Sequence, residues 1–126
     1  MKAKVLIVDD HEMMRRFLGT FLSKNYEVYL AKDGIEALNW LEENEKPSLI
    51  VTDIDMPRMN GYDFLNILKG NTNYSEIPVM MLSSANKSER RIKAYELGAN
   101  DVMSKPFNPR ELELKLKAIS TDVSLI

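Results

Sequence analysis

The chain has 126 residues, 44% of them hydrophobic and 29% charged, with a formal net charge of -2 at pH 7. That length supports one domain with a core of its own, and the near-balance of charge gives no general pull toward nucleic acid or anionic membrane. The absence of cysteine excludes a disulfide framework and thiolate chemistry, and no apolar run approaches the ~18–20 residues of a membrane span.

The opening MKAKVLIVDD has too short an apolar core for a signal peptide, so a cytoplasmic protein is expected. Lys4 to Val8 reads as a buried strand ending at Asp9-Asp10. Met13, Met14, Phe17, Leu18, Phe21 and Leu22 recur at helical spacing, which predicts an amphipathic helix. Tyr26 to Ala31 reads as a second strand, and Asp33 followed by Glu36 caps a second helix with Ala37, Leu38 and Leu41 inward.

Leu49-Ile50-Val51 is a β-branched apolar run bounded by turn residues, the pattern of a strand buried on both faces. It leads through Thr52 into Asp53, and Asn60-Gly61 opens a third helix carrying Phe64, Leu65 and Leu68, with a stop at Gly70. Ile77 to Leu82 is the fourth strand, running into Ser83-Ser84. Asn86 with Glu89 repeats the capping signature before Ile92 and Tyr95, and Gly98 closes that helix. A fifth strand around Asp101 to Ser104 reaches Lys105-Pro106, and Asn108-Pro109 starts the last helix. The domain is expected to span residues 1–120, with 121–126 a tail or the start of a linker.

Five strand-then-helix units predict a parallel sheet with helices on both faces, and ligands of such sheets bind outside the carboxyl ends of the strands. Asp9, Asp10, Asp53, Ser83, Ser84 and Lys105 all follow strands at that edge. In the doubly wound order 2-1-3-4-5, three carboxylates meet at one pocket. Two such charges ~5 Å apart repel by roughly 3 kcal/mol at an effective dielectric of ~20. Bound protons or a cation relieve this, and with only hard oxygens at the strand ends the fitting cation is Mg²⁺ or Mn²⁺. A lysine and a serine hydroxyl beside them suit a phosphoryl group, with Asp53 on the middle strand as nucleophile.

Across residues 3–119 the chain resembles the receiver domain of two-component response regulators. The resemblance rests on Asp9-Asp10, on Asp53-x-x-Met56-Pro57-x-Met59-x-Gly61, on Pro78-Val79-x-x-Leu82-Ser83, and on Gly98-Ala99-x-Asp101 with Lys105-Pro106-Phe107. It implies a flavodoxin-like (βα)5 fold of order 2-1-3-4-5, and phosphorylation of Asp53 by a sensor histidine kinase or phosphotransfer protein. Asp10 and Asp53 would ligate Mg²⁺ directly, Asp9 through water, and Asp55 through its backbone carbonyl. Ser83 and Lys105 would contact the phosphoryl oxygens, and Lys105-Pro106 would be cis. The chemistry would be self-catalysed phosphorylation and dephosphorylation of one aspartate, not turnover of an external substrate.

Two positions depart from the pattern. Val102 stands where receivers usually carry Tyr or Phe, so an aromatic rotation cannot carry the signal. Ser84 replaces a smaller residue on the path of water, which bears on phosphoryl lifetime. His11, the one histidine, is read as exposed and without a role. Asp33-Gly34 and Asn60-Gly61 are read as turn chemistry.

In the last helix, Leu112, Leu116 and Ile119 share a face at about 100° per residue, with Leu114 about 200° from Leu112. Leu114 is therefore expected to be exposed on a surface shared with the fourth helix, used for a homodimer or for docking an effector domain. Direct nucleic-acid binding would need a further domain. Two rival readings are a receiver fold that is never phosphorylated and a haloacid-dehalogenase-like phosphohydrolase built on Asp53-x-Asp55. The second places its other acids late in the chain, not at Asp9-Asp10.

Overall fold

The computed structural model describes residues 2–124, with side chains described through Ser120. In chain order the elements are β1 (Ala3–Val8), α1 (Glu12–Leu22), β2 (Tyr26–Ala31), α2 (Gly34–Glu43), β3 (Leu49–Asp53), α3 (Gly61–Lys69), β4 (Val79–Ser83), α4 (Ser88–Glu96), β5 (Asp101–Ser104) and α5 (Pro109–Ser124). All four strand pairings are parallel, in the order β2-β1-β3-β4-β5. Leu125 and Ile126 of the expected tail lie outside the described residues.

Because side chains alternate across a strand, the sheet builds two cores. Leu6, Val8, Ile50, Val79, Met81 and Val102 pack on one face with the inward residues of α2, α3 and α4. Val5, Ile7, Leu49, Val51, Met80 and Leu82 pack on the other with α1 and α5. Every residue of β3 and β4 is buried, as strands covered on both faces require.

Local chemistry sets the helix ends. Asp33 accepts from the Glu36 N–H at 2.8 Å and Asn60 from the Asp63 N–H at 2.9 Å. Asn108 accepts from the Arg110 N–H at 2.8 Å, and Gly98 passes through φ 109 just beyond α4, a conformation that costs glycine little.

Three expectations are corrected. Asn86 does not cap α4: its side-chain oxygen accepts from Arg91 and Ser104, and Lys87 takes the cap position without a side-chain bond. The line Met13–Phe17 on α1 faces outward, with Met13 87% exposed, while Leu18 and Leu22 are buried. α4 faces mostly solvent: Ile92 and Tyr95 are exposed and only Ala94 is buried. β4 starts at Val79, not Ile77, since Pro78 has no N–H to give the ladder.

Candidate functional site

The register of the sheet assembles the site. Val8 pairs with Thr52, Asp53 with Leu82 and Ser83 with Ser104, so Asp9, Asp53, Ser83 and Lys105 emerge side by side at one edge. The Ile54 N–H donates to the Leu82 carbonyl and the Lys105 N–H to the Ser83 carbonyl at 2.7 Å, which carries the pairing just past the strand ends. The Lys105-Pro106 peptide is cis.

Asp53 is 2% exposed. The Lys105 Nζ stands 3.4 Å from its Oδ2 and 3.2 Å from Asp9 Oδ2. Burial pushes the Asp53 carboxyl up to about 6; Lys105 opposes the rise and the charge of Asp9 adds to it. Asp9 spends its other oxygen on the His11 N–H at 2.9 Å.

Among the described residues, Asp10 Oδ1 and Asp53 Oδ1 are buried with no hydrogen-bond partner. Carboxylate oxygens are acceptors only when ionised, and leaving them bare inside a protein is costly. Ligand atoms of Asp9, Asp10, His11 and Asp53 all lie within 4.8 Å of one another. Two orphaned oxygens in a mainly carboxylate cluster fit a hard divalent cation such as Mg²⁺ or Mn²⁺. His11, expected to be idle, is exposed as read, yet its Nδ1 lies 3.3 Å from Asp10 Oδ1.

Asp55, two residues on, turns its carboxylate away from this cluster. Its Oδ2 accepts from Ser84 Oγ at 2.7 Å, and both its oxygens accept from Arg90 Nη2, at 2.7 and 2.8 Å. Burial acts to raise its pKa, but Ser84 and Arg90 outweigh burial and hold the carboxyl below its usual range. Arg90 Nε also donates to Ser83 Oγ at 3.1 Å. Sequence reasoning missed Arg90, since nothing in the first turn of a charged helix marks one arginine. Its partners are 7 and 35 residues away and meet it only through the sheet order.

Residues of both supposed turns do more than turn the chain. A Cβ on Gly61 would lie 2.4 Å from the Asp53 carbonyl oxygen and 2.7 Å from Ile54 Cα, so only glycine lets α3 start across the end of β3. Arg58, at φ 65 in the β3–α3 loop, pairs with the nearly inaccessible Asp33. Val102, in the position where an aromatic was looked for, is buried. Beside it Asn86, Arg91, Ser104 and Lys115 help to line a pocket of about 270 Å³.

Comparison with known proteins gives a consistent picture. The family model described as "Response regulator receiver domain" matches residues 5–117. The "Probable transcriptional regulator ycf27" of Guillardia theta is 42% identical over 119 residues, which are 94% of this chain and 45% of that protein. The chain thus spans about half the length of the ycf27 relatives it matches. The chemotaxis protein CheY1 of Helicobacter pylori is 36% identical over 118 residues, covering 92% of this chain and 95% of that one. Among solved structures, the chemotaxis response regulator CheY4 of Vibrio cholerae aligns with a TM-score of 0.87 at 32% identity, covering 94% of this chain and 99% of that one. The Francisella response regulator 1452 receiver domain aligns at 0.88 and 30% identity, covering 97% and 99%.

Proposed function

The chain belongs to the response regulator receiver domain family of two-component signalling, and on that premise we propose that Asp53 is its phosphoacceptor. The observation that carries the reading is the Asp53 carboxyl itself: buried at a strand end, one oxygen facing Lys105 and the other without a partner. Asp10 and Asp53 would hold Mg²⁺ directly, Asp9 through water and Asp55 by its backbone carbonyl. When bound, the cation neutralises phosphoryl oxygens and the excess of carboxylate charge.

The donor is the phosphohistidine of a sensor histidine kinase or phosphotransfer protein. An Asp53 oxygen attacks phosphorus, the phosphorus–nitrogen bond breaks, and the imidazole leaves with its electron pair. Lys105, already between Asp9 and Asp53, follows the charge onto the phosphoryl oxygens, and Ser83 donates its hydroxyl to another. Ser84, hydrogen-bonded to Asp55, stands at the rim, where it bears on the lifetime of the acyl phosphate. The product is a state of this protein, in keeping with signalling and not with conventional turnover.

Output runs through the outer surface of α4 and α5. Ile92 and Tyr95 of α4 are each about half exposed and offer apolar contact to an effector domain or a second copy. Leu114 is exposed as expected but lies on the other flank of α5, beside Asn25 and Tyr26, so it does not share this surface with α4. Among the described residues no helix is long and apolar enough to cross a membrane; a cytoplasmic site of action accords with the kinase partner. The test is incubation with acetyl phosphate, with and without Mg²⁺, read by intact mass. One phosphoryl adduct that needs both Mg²⁺ and Asp53 is expected. Its absence would favour an interaction module that keeps the fold without phosphorylation.

A further inference from the structure

With Val102 in place of an aromatic ring, the path from Asp53 to α4 must be built from other groups. The hydrogen bonds at Ser83 supply one. Ser83 is fully buried, and all its side-chain bonds run to the start of α4 and the loop before it. Its Oγ donates to the Ala85 carbonyl at 2.9 Å and accepts from the Ala85 N–H at 3.2 Å and from Arg90 Nε at 3.1 Å. A serine hydroxyl has one hydrogen. Here that hydrogen is committed to Ala85.

Arg90 joins three parts of the structure. Its guanidinium forks between Ser83 and Asp55, its Cζ lies over the Tyr62 ring of α3, 6.0 Å from the ring centroid, and its own carbonyl accepts from the Tyr62 hydroxyl at 3.1 Å.

We propose that Arg90 is the positioning residue that couples the state of Asp53 to α4, taking the place of the missing aromatic. The inference rests on the phosphoacceptor reading of Asp53. For Ser83 to donate to a phosphoryl oxygen, its hydrogen must leave the Ala85 carbonyl. The lone pairs facing Arg90 Nε then turn away with it. Both abandoned groups sit beside a buried side chain, where an unmade hydrogen bond is costly. The phosphoryl group meanwhile brings roughly one to two added negative charges, and the guanidinium is the cation that Ser83 and Asp55 hold on that side. Arg90 therefore leaves the Ser83–Asp55 fork, and the first turn of α4, to which it belongs, moves with it.

The experiment is backbone amide NMR of the full chain with Mg²⁺, before and after acetyl phosphate, with intact mass measured on the same samples. In wild type, amides around Asp53 and amides of Ser88–Arg91 both shift. Arg90→Ala is expected to keep the adduct and the shifts around Asp53 while the shifts in Ser88–Arg91 fall at least threefold. Arg90→Lys, which keeps the charge but not the fork, is expected to behave like Arg90→Ala and serves alone should the alanine variant not fold. An adduct with undiminished α4 shifts in these variants overturns the role of Arg90 and leaves the phosphoacceptor reading standing. No adduct on wild type overturns both.

Discussion

Gly61 crosses the end of β3 so closely that a Cβ there would stand 2.4 Å from the carbonyl oxygen of Asp53. The two nearest atoms in the way, the Asp53 carbonyl oxygen and Ile54 Cα, are backbone and cannot swing aside; only the third, Met81 Cε at 2.9 Å, belongs to a side chain. Gly61→Ala gains helix propensity of up to about 1 kcal/mol but must push α3 off the site. We expect a net loss of about 1–3 kcal/mol, measured by urea denaturation. An unchanged midpoint would mean that the loop after Asp53 yields freely.

The raised carboxyl of Asp53 gives stability a pH dependence of definite sign. A carboxyl that titrates at about 6 in the fold, against an ordinary 3.8, favours the folded state while protonated. That contribution is complete below about pH 4 and lost as pH climbs through about 6. The shift of about 2 units corresponds to at most about 3 kcal/mol. Metal-free wild type should therefore lose stability relative to Asp53→Asn between about pH 4 and pH 7.5. Parallel stability curves for the two proteins would contradict the burial of a charged Asp53.

Divalent cation should reverse the same penalty. Binding only to the folded state stabilises by about 2.7 kcal/mol at a hundredfold excess over the dissociation constant. Thermal melts with and without Mg²⁺ are expected to show the gain in wild type and to lose most of it in Asp10→Asn and in Asp53→Asn. An equal gain in all three would put the ion elsewhere.

Asp33 is held below its ordinary range: burial acts to raise it, and the Glu36 N–H and Arg58 outweigh burial. Its contribution is present above about pH 4 and is lost as pH falls through the depressed value. Arg58 is largely exposed, so the pair is discounted for screening. Arg58→Ala should cost about 1 kcal/mol near neutral pH, with the deficit shrinking in acid. Urea midpoints at two pH values decide it.

Much of this was legible in the chain. Asp53 was legible because a β-branched run ends on it, and the cis Lys105-Pro106 bond because the family resemblance implies it. The width of the buried face of α1 was not. Met13-Phe17-Phe21 and Met14-Leu18-Leu22 form two lines about 100° apart; the second packs on the core, while of the first only Phe21 reaches it and Met13 and Phe17 stay exposed. The cap of α4 was misplaced because Asn86 finds a better use bridging Arg91 and Ser104, contacts that only the tertiary fold creates. Arg90 was invisible for the same reason. Leu114, expected outward from helical phase alone, is 50% exposed.

The most direct test of the central claim is to find the bond itself. An acyl phosphate is reduced by borohydride, which converts the modified aspartate to homoserine. After acetyl phosphate and Mg²⁺, peptide mapping of the reduced protein should place homoserine at position 53 and nowhere else. Homoserine at Asp9, Asp10 or Asp55, or none at all under conditions that trap other acyl phosphates, would contradict the assignment of Asp53 as the phosphoacceptor.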